Sequence, residues 1–575
     1  MPVRPPFNSR PLLAGLAATV LVALGACSAA KSEAPAADNA APTLSDQTAE
    51  RAQLHEHLAA APVAEPAKRA ALGRVASPHS VYALMPMPAD AWPAGYRDEN
   101  REQYQKLADN PVHAVAEMPV STFSIDVDTG SYANVRRLLN GGQLPPPGAV
   151  RLEELVNYFP YAYPLPKGDV PFGVHSELAI TPWNPHSRLL RIAIKASDLR
   201  VEALPAANLV FLVDVSGSMD RREGLPMVQS TLKLLVEQLR AQDSVSLVVY
   251  AGSSSVVLEP TAGSEKAKIR AAIDQLTAGG STAGESGIQL AYQQAQQGFI
   301  EGGINRILLA TDGDFNVGIS DFDSLKQLAA DKRKTGISLT TLGFGTDNYN
   351  EQLMEQLADA GDGNYAYIDT LREARKVLVD QLSSTLATVA SDVKIQVEFN
   401  PAQVSEYRLL GYENRALKRE DFSNDKVDAG EIGAGHTVTA LYEVVPVGGK
   451  GWLEPLRYQA AVKGAKQDGE LAWLRIRYKT PGQGVSQLLE QAIQSGDVPT
   501  IDRASEDLRF AAAVAAFAQQ LKGATYTGRF SLADSAELAR TAKGEDRFGL
   551  GSEFVQLVEL AQSLHTSADR ERRAD

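Results

Sequence analysis

The most constraining feature of this chain is an apolar run, residues 209–213, that ends abruptly in oxygen-bearing side chains. A run of this length and β-branched content predicts a strand buried on both faces of a parallel sheet. Asp214, Ser216 and Ser218 follow it, separated by single apolar or small residues. Because open α/β sheets bind ligands at the carboxyl ends of their strands, these donors can converge on one ion, and Mg²⁺ suits them better than zinc or copper. A simple turn that follows the strand explains residues 214–218 equally well.

The segment that begins with this strand, residues 206–388, alternates predicted strands with predicted helices. A glycine-rich loop contains Thr282, and a later apolar strand ends in Asp312. Alternation of this kind predicts an α/β fold built on a doubly wound, mainly parallel sheet. All eight histidines and the single cysteine lie outside the segment, so a hydrolase here would need Asp or Glu as its base.

The N-terminal residues have the layout of an export signal. Two arginines precede an apolar segment, residues 12–24, that is too short and too rich in Gly and Ala to span a bilayer. The segment closes on Leu-Gly-Ala-Cys, and Cys27 is the only cysteine of the chain. This ending resembles a bacterial lipobox, which implies removal of residues 1–26 and lipidation of Cys27. Ser28 follows where an inner-membrane protein would usually carry Asp, so the resemblance implies the outer membrane.

Residues 27–105 should form a disordered tether because Ala, Pro and small polar residues dominate them. Order is predicted to begin in an N-terminal domain, residues 106–170. Asp126 and Asp128 in its first strand partly match the haloacid dehalogenase motif, but Gly130 occupies the position where that motif requires Thr. We therefore expect a structural role for the two carboxylates.

Predicted strands flank the α/β segment on both sides, in residues 171–205 and 389–482. Neither group has partners nearby in the sequence. We therefore expect them to pair into one β-sandwich, with the α/β domain inserted between its halves and the two ends of the insert close together. Residues 483–575 are predicted to form a helical C-terminal region.

Five positions together resemble the metal-ion-dependent adhesion site of von Willebrand factor A domains: Asp214, Ser216, Ser218, Thr282 and Asp312. Longer stretches resemble the bacterial YfbK-type von Willebrand factor A lipoproteins, at residues 121–128, 279–284, 309–318 and 411–415. The resemblance implies that both serines bind Mg²⁺ directly and that Thr282 binds it directly or through water. It implies that the two aspartates act mainly through water and by charge. Mn²⁺ and Ca²⁺ are alternative ions, and Glu285 departs from the family pattern by placing a carboxylate beside the loop.

The same resemblance implies an open position on the metal that a carboxylate of a partner protein can fill. The leading prediction is an outer-membrane-anchored lipoprotein without catalytic residues that binds an unidentified protein through Mg²⁺. A net charge of −14 argues against a nucleic-acid partner, because little in the chain would neutralise phosphates. Two alternatives stay open: an envelope scaffold whose metal is purely structural, and a metal-dependent hydrolase.

We predict that Cys27→Ala releases the protein from the membrane, because the acyl chains on this cysteine would form the anchor. The measurement is sedimentation of full-length protein with separated membranes, followed by immunoblotting. Wild type and the matched control Ser28→Ala should sediment with outer membrane after a high-salt wash. Sedimentation of Cys27→Ala with the same fraction would contradict the lipobox prediction.

Overall fold

The computed structural model describes residues 102, 104–168, 170–281, 284–313, 322–346, 349–427, 429–454, 456–457, 469–481 and 483–574. These residues belong to one structural unit, Ala94–Asp575. The predicted signal peptide, Cys27 and almost all of the predicted tether lie outside the described residues. Within the described part of the chain, no helix is long and apolar enough to cross a membrane.

The strands and α-helices described before the α/β domain are β1 (His113–Ala114), β2 (Val120–Ser124), α1 (Gly130–Asn140), α2 (Leu152–Asn157), β3 (Phe172–Thr181) and β4 (Asn184–Ala196). β3 and β4 form an antiparallel hairpin. Leu190, Ile192 and Ile194 alternate along β4 and are buried on one face, whereas Leu189 and Ala193 are buried on the other. A strand buried on both faces has to lie inside a layered structure, with one layer packed on each side.

The α/β domain begins with the predicted apolar strand and alternates as the sequence pattern indicates. Its elements are β5 (Ala207–Asp214), α3 (Leu225–Gln238), β6 (Ser244–Tyr250), β7 (Ser254–Ala262), α4 (Lys266–Asp274), α5 (Gly284–Gln297), β8 (Ile304–Thr311), α6 (Phe322–Arg333), β9 (Ser338–Gly343), α7 (Glu351–Ala360), β10 (Tyr365–Tyr367), α8 (Leu371–Arg375), a π-helix (Lys376–Asp380) and α9 (Leu382–Leu386). The strand order is β10-β9-β8-β5-β6-β7, parallel throughout except for the edge strand β7. Apolar cores on both faces of this sheet confirm the doubly wound fold.

The strands after the α/β domain are β11 (Thr388–Phe399), β12 (Val404–Leu410), β13 (Ile432–Gly433), β14 (Thr437–Pro446), β15 (Glu470–Lys479) and β16 (Gln487–Gln494). One antiparallel sheet has the order β1-β12-β14-β4-β3, and a second has the order β13-β11-β15-β16 with β2 paired to β11. Side chains from both sheets fill one core, in which Leu190 and Ile192 join Ile395 and Leu474. The two predicted strand groups therefore share a sandwich core, and the α/β domain is inserted between β4 and β11.

The two ends of the insert lie together. Leu204 before it and Ala387 at its end pack with Ala434 in one small apolar cluster. The backbone N–H of Ala434 also donates to the carbonyl oxygen of Ala387 at 2.8 Å. The chain therefore leaves the sandwich and re-enters it at neighbouring positions, as an inserted domain requires.

Three helices end the described chain: α10 (Glu506–Leu521), α11 (Leu532–Arg540) and α12 (Leu550–Ala574). The alanine-rich α10 is buried almost all round, and it packs with α2 and α12 against the outer face of β4. Ser505 caps its first turn by accepting from the N–H of Leu508 at 3.1 Å. The predicted boundary of this region at residue 483 is wrong, because β16 still belongs to the sandwich; only Ile493 in that edge strand is fully buried, so its sequence lacks clear alternation.

Two buried arginines join the α/β domain to the rest of the structure. Arg136 on α1 donates to Asp369 at 2.7 Å, to Glu373 at 2.8 Å and to Glu553 on α12 at 3.0 Å. Arg415 lies beyond β12 and contacts four carboxylates, those of Asp126, Asp128, Glu355 and Asp359. Each guanidinium therefore bridges segments that lie far apart in the sequence.

We predict that Arg415→Met lowers the free energy of unfolding by about 3–5 kcal/mol near neutral pH, because it strips buried carboxylates of their counter-charge. Burial, more than any other cause, raises the pKa of Asp126 and Asp128, so the folded state binds protons at these groups more readily than the unfolded chain does. Protonation therefore favours folding, and the loss should shrink as the pH falls from about 8 to about 5.

The measurement is thermal and denaturant unfolding across this pH range. The matched control is Arg540→Met, which removes a half-exposed arginine paired with Glu559 at 2.7 Å. The effect of Arg540→Met on the free energy of unfolding should be small at every pH, because exposed ion pairs are screened by solvent. Equal effects of the two variants, or a larger loss for Arg415→Met in acid, would count against the role of Arg415.

Candidate metal site

Three of the predicted oxygen donors, Asp214, Ser216 and Ser218, lie at the carboxyl end of β5, a central strand of the α/β sheet. Every residue of β5 is buried, and the chain then turns through a short 3₁₀ segment at Gly217–Met219. Asp214 and Ser216 are buried, whereas the side chain of Ser218 is partly accessible. The end of the strand thus presents a hydroxyl to solvent with a carboxylate behind it.

The Asp214 carboxylate is held by three hydrogen bonds. Its Oδ1 accepts from the N–H of Ser216 at 2.9 Å, and its Oδ2 accepts from the hydroxyls of Thr311 at 2.9 Å and Tyr250 at 3.2 Å. Burial and then the charge of Asp312 raise the pKa of Asp214 to about 6, although the bonds from Ser216 and Thr311 act in the opposite direction. The group is therefore fixed in position, and at neutral pH its negative charge is largely retained.

The two serine hydroxyls converge. The Oγ atoms of Ser216 and Ser218 lie 2.9 Å apart. The backbone N–H of Gly217 between them donates to the carbonyl oxygen of Gly280 at 3.0 Å, which joins this turn to the glycine-rich loop. Gly280 has a φ of 91°, a left-handed conformation that glycine adopts without strain. The loop predicted to supply Thr282 therefore begins against the serine turn, while Thr282 itself lies outside the described residues.

Asp312 follows β8, the parallel neighbour of β5, and is fully buried. Its Oδ2 lies 3.8 Å from the guanidinium of Arg221. Arg221 is in turn held by the carbonyl oxygens of Ser218 at 2.6 Å and Thr346 at 2.7 Å. The structure therefore brings together four of the five predicted donors, and it adds a cation that the sequence interpretation missed. The only sequence signal for Arg221 is its place two residues after the serine turn.

The donor set fits Mg²⁺. Hydroxyl and carboxylate oxygens are ligands that hard divalent cations prefer, and the described residues of the site offer no sulfur or imidazole. Ser218 is the partly accessible member of the set, whereas Ser216, Asp214 and Asp312 are buried.

A second acidic cluster has a different character. Carboxylate oxygens of Asp126, Asp128 and Asp359 approach within 4.8 Å of one another. The guanidinium of Arg415 lies among them, 3.0 Å from Asp126 and 3.3 Å from Asp128. The guanidinium of Arg415 therefore compensates the negative charge of these carboxylates. These contacts give Asp126 and Asp128 a structural role, as expected from the sequence.

Family models match three stretches of the chain. Residues 98–191 match von Willebrand factor, residues 208–381 match the von Willebrand factor type A domain, and residues 384–564 match "Uncharacterized protein YfbK, C-terminal". The second match contains the β5 serine turn and Asp312.

Two relatives and one solved structure show how far the similarity extends. The chain is 53% identical over 471 residues to Uncharacterized protein YfbK of Escherichia coli (strain K12), covering 80% of this chain and 81% of that protein. It is 34% identical over 188 residues to Uncharacterized protein sll0103 of Synechocystis sp., covering 32% of this chain and 43% of the relative. The solved von Willebrand factor type A structure from Catenulispora acidiphila covers 66% of this chain and 89% of its own, at 17% identity and a TM-score of 0.39.

The similarity to YfbK extends beyond the α/β domain, since it covers four-fifths of both chains and a separate family model matches the C-terminal part. The chain therefore belongs to the YfbK family of proteins that contain a von Willebrand factor type A domain.

Proposed function

We propose that this protein is an outer-membrane lipoprotein that binds a partner protein through Mg²⁺ held by five residues: Asp214, Ser216, Ser218, Thr282 and Asp312. The observation that carries the metal site is the 2.9 Å approach of the Ser216 and Ser218 hydroxyls in front of two buried carboxylates. Von Willebrand factor type A domains commonly mediate protein interactions, which supports binding as the use of the site. The lipobox-like sequence at Cys27 supports the anchor.

The arrangement of charge suggests how a partner would be recognised. The two serine ligands are neutral, and Ser218 is partly accessible, whereas the charged groups of Asp214 and Asp312 are buried. Neutral ligands leave most of the positive charge of a divalent ion uncompensated, so the ion attracts a further oxygen ligand from outside. A carboxylate from an Asp or Glu of the partner satisfies this demand. The protein's own residues fix the ion, and the partner supplies the last ligand.

Arg221 favours one alternative, an envelope scaffold with a structural metal. Its guanidinium lies 3.8 Å from Asp312, so the domain already supplies one positive charge beside the two buried aspartates. If the charge of Arg221 suffices for folding and for partner binding, the proposed Mg²⁺ only makes the domain more rigid. The hydrolase alternative has less support because residues 206–388 contain neither His nor Cys.

We predict that Ser218→Ala and Thr282→Ala each weaken Mg²⁺ binding, because each removes a neutral ligand. Each should leave the melting of the metal-free protein within about 1 kcal/mol of wild type. Asp214→Ala should cost the metal-free fold about 1–3 kcal/mol, since its removal leaves the hydroxyls of Thr311 and Tyr250 without their acceptor. Mg²⁺ at about a hundred times its Kd should stabilise wild type by about 2.7 kcal/mol and the three variants far less.

The measurements are titration calorimetry with Mg²⁺, thermal melts with and without chelator, and affinity capture from envelope extracts. The matched control is Ser253→Ala, an exposed serine in the turn between β6 and β7 that is not among the predicted ligands. Any partner captured by wild type and Ser253→Ala should be lost with chelator and with each ligand variant. A partner that still binds all ligand variants in chelator would exclude metal-bridged recognition and favour the scaffold.

A further inference from the structure

A cavity of about 440 Å³ opens where the α/β domain, the sandwich and the C-terminal helices meet. The π-helix and α9 form one side, the strand β4 and the turn before β14 form another, and the chain after α2 closes it. Cavities of this size at junctions between domains are where small ligands commonly bind. The cavity shares no lining residue with the predicted metal site.

The lining carries an excess of positive charge. Four cationic side chains line the cavity, those of Lys195, Arg372, Arg375 and Lys376, together with the carboxylates of Asp198 and Asp380. Behind the lining, Arg372 pairs with Glu553 at 2.9 Å and Lys376 contacts Glu373 at 3.4 Å. Arg375 lies at the mouth, with its side chain 67% exposed and 3.9 Å from Asp380. The lining itself therefore carries more positive than negative groups, which favours an anion as its ligand.

Lys376 is the deepest of these cations, with its side chain only 9% exposed. Among the described residues its ammonium makes one hydrogen bond, a long one of 3.4 Å to Oε1 of Glu373, and it lies over the ring of Tyr158. The other oxygen of Glu373 accepts from Arg136 and Tyr158. An ammonium has three N–H donors, so Lys376 retains capacity to bind an anion inside the cavity.

His436 lies in the lining beside two of these lysines. Burial first, and then the charges of Lys195 and Lys376, lower the pKa of His436 to about 4. The imidazole is therefore neutral at physiological pH and can still donate or accept a hydrogen bond. Burial also lowers the pKa of Lys376, in the direction expected for a cation that lacks full compensation.

Apolar side chains form another part of the cavity lining. They belong to Phe159, Pro160, Tyr161 and Leu550, and the half-exposed ring of Phe548 lies beside them. Lys376 begins the π-helix Lys376–Asp380, and such interruptions of α-helices are frequent at functional sites. The cavity thus combines an ammonium at one side with an apolar surface at the other.

We propose that this cavity is a binding site for an organic anion, in which a carboxylate or sulfonate pairs with Lys376 and an apolar body packs on Phe159 and Leu550. The anionic group would accept from Lys376, with Arg375 adding charge at the mouth. This site is independent of the proposed Mg²⁺ site, since it uses other residues and needs no metal.

The test is titration calorimetry of the full mature chain, in chelator, with 1-naphthoate and with its neutral analogue 1-naphthalenemethanol. The two probes share an apolar body and differ in charge. We expect 1-naphthoate to bind at least about tenfold more tightly than the alcohol, as a charge-assisted hydrogen bond implies. Lys376→Met should remove that advantage and leave the alcohol's affinity unchanged.

Arg375→Gln provides a second variant at an exposed position, so the test holds even if Lys376→Met fails to fold. It should weaken 1-naphthoate several-fold and leave thermal melting unchanged. The matched control is Lys268→Met on α4, which removes a lysine 58% exposed and outside the lining. The proposal is overturned if 1-naphthoate does not bind, or if both probes bind with equal affinity. It is also overturned if Arg375→Gln binds 1-naphthoate as wild type does and Lys376→Met, where it folds, does the same.

Discussion

An inserted domain must return the chain to the place where it left, and the rest of this structure depends on how that closure is made. Leu204 and Ala387 meet in one apolar cluster, and Arg240 donates to the carbonyl oxygens of Leu204 and Pro205. Away from the hinge, Arg415 and Arg136 bind carboxylates of the α/β domain from the sandwich side and the helical side. Contacts at several separated points restrict rotation of a domain far more than a hinge alone does. The carboxyl edge of its sheet is therefore presented in one direction.

The same edge concentrates negative charge inside the protein. Asp214 and Asp312 are fully buried at the ends of neighbouring strands, and the charge of Asp312 raises the pKa of Asp214. Hydrogen bonds from Ser216, Thr311 and Tyr250 offset part of that cost for Asp214, and Arg221 offsets part of it for Asp312. A divalent cation would offset more. The proposed metal site and the buried charges of the sheet are thus two aspects of one electrostatic balance.

The sequence predicted what depends on local pattern. The buried strand β5, the placement of Asp214, Ser216 and Ser218 at its carboxyl end, and the insertion of the α/β domain all followed from apolar runs, strand ends and missing partners. Arg221 and Arg415 could not be assigned, because their roles depend on carboxylates that tertiary structure brings near. β16 was missed because an edge strand buries few side chains and so lacks period-two alternation. The metal-binding roles of Asp214, Ser216, Ser218, Thr282 and Asp312 stay predictions, as does the lipidation of Cys27.

The pairing of the sandwich has a consequence for the order of folding. Phe123 in β2 pairs with Ile395 in β11, and His113 in β1 pairs with Tyr407 in β12, so these strand pairs join residues on opposite sides of the insert. Within the described part of the chain, the six strands of the α/β sheet pair with one another and with no strand of the sandwich. The insert can therefore complete its sheet while β1 and β2 still present unpaired edges, which are prone to wrong association. The first two strands that the structure describes are thus among the last to find their partners.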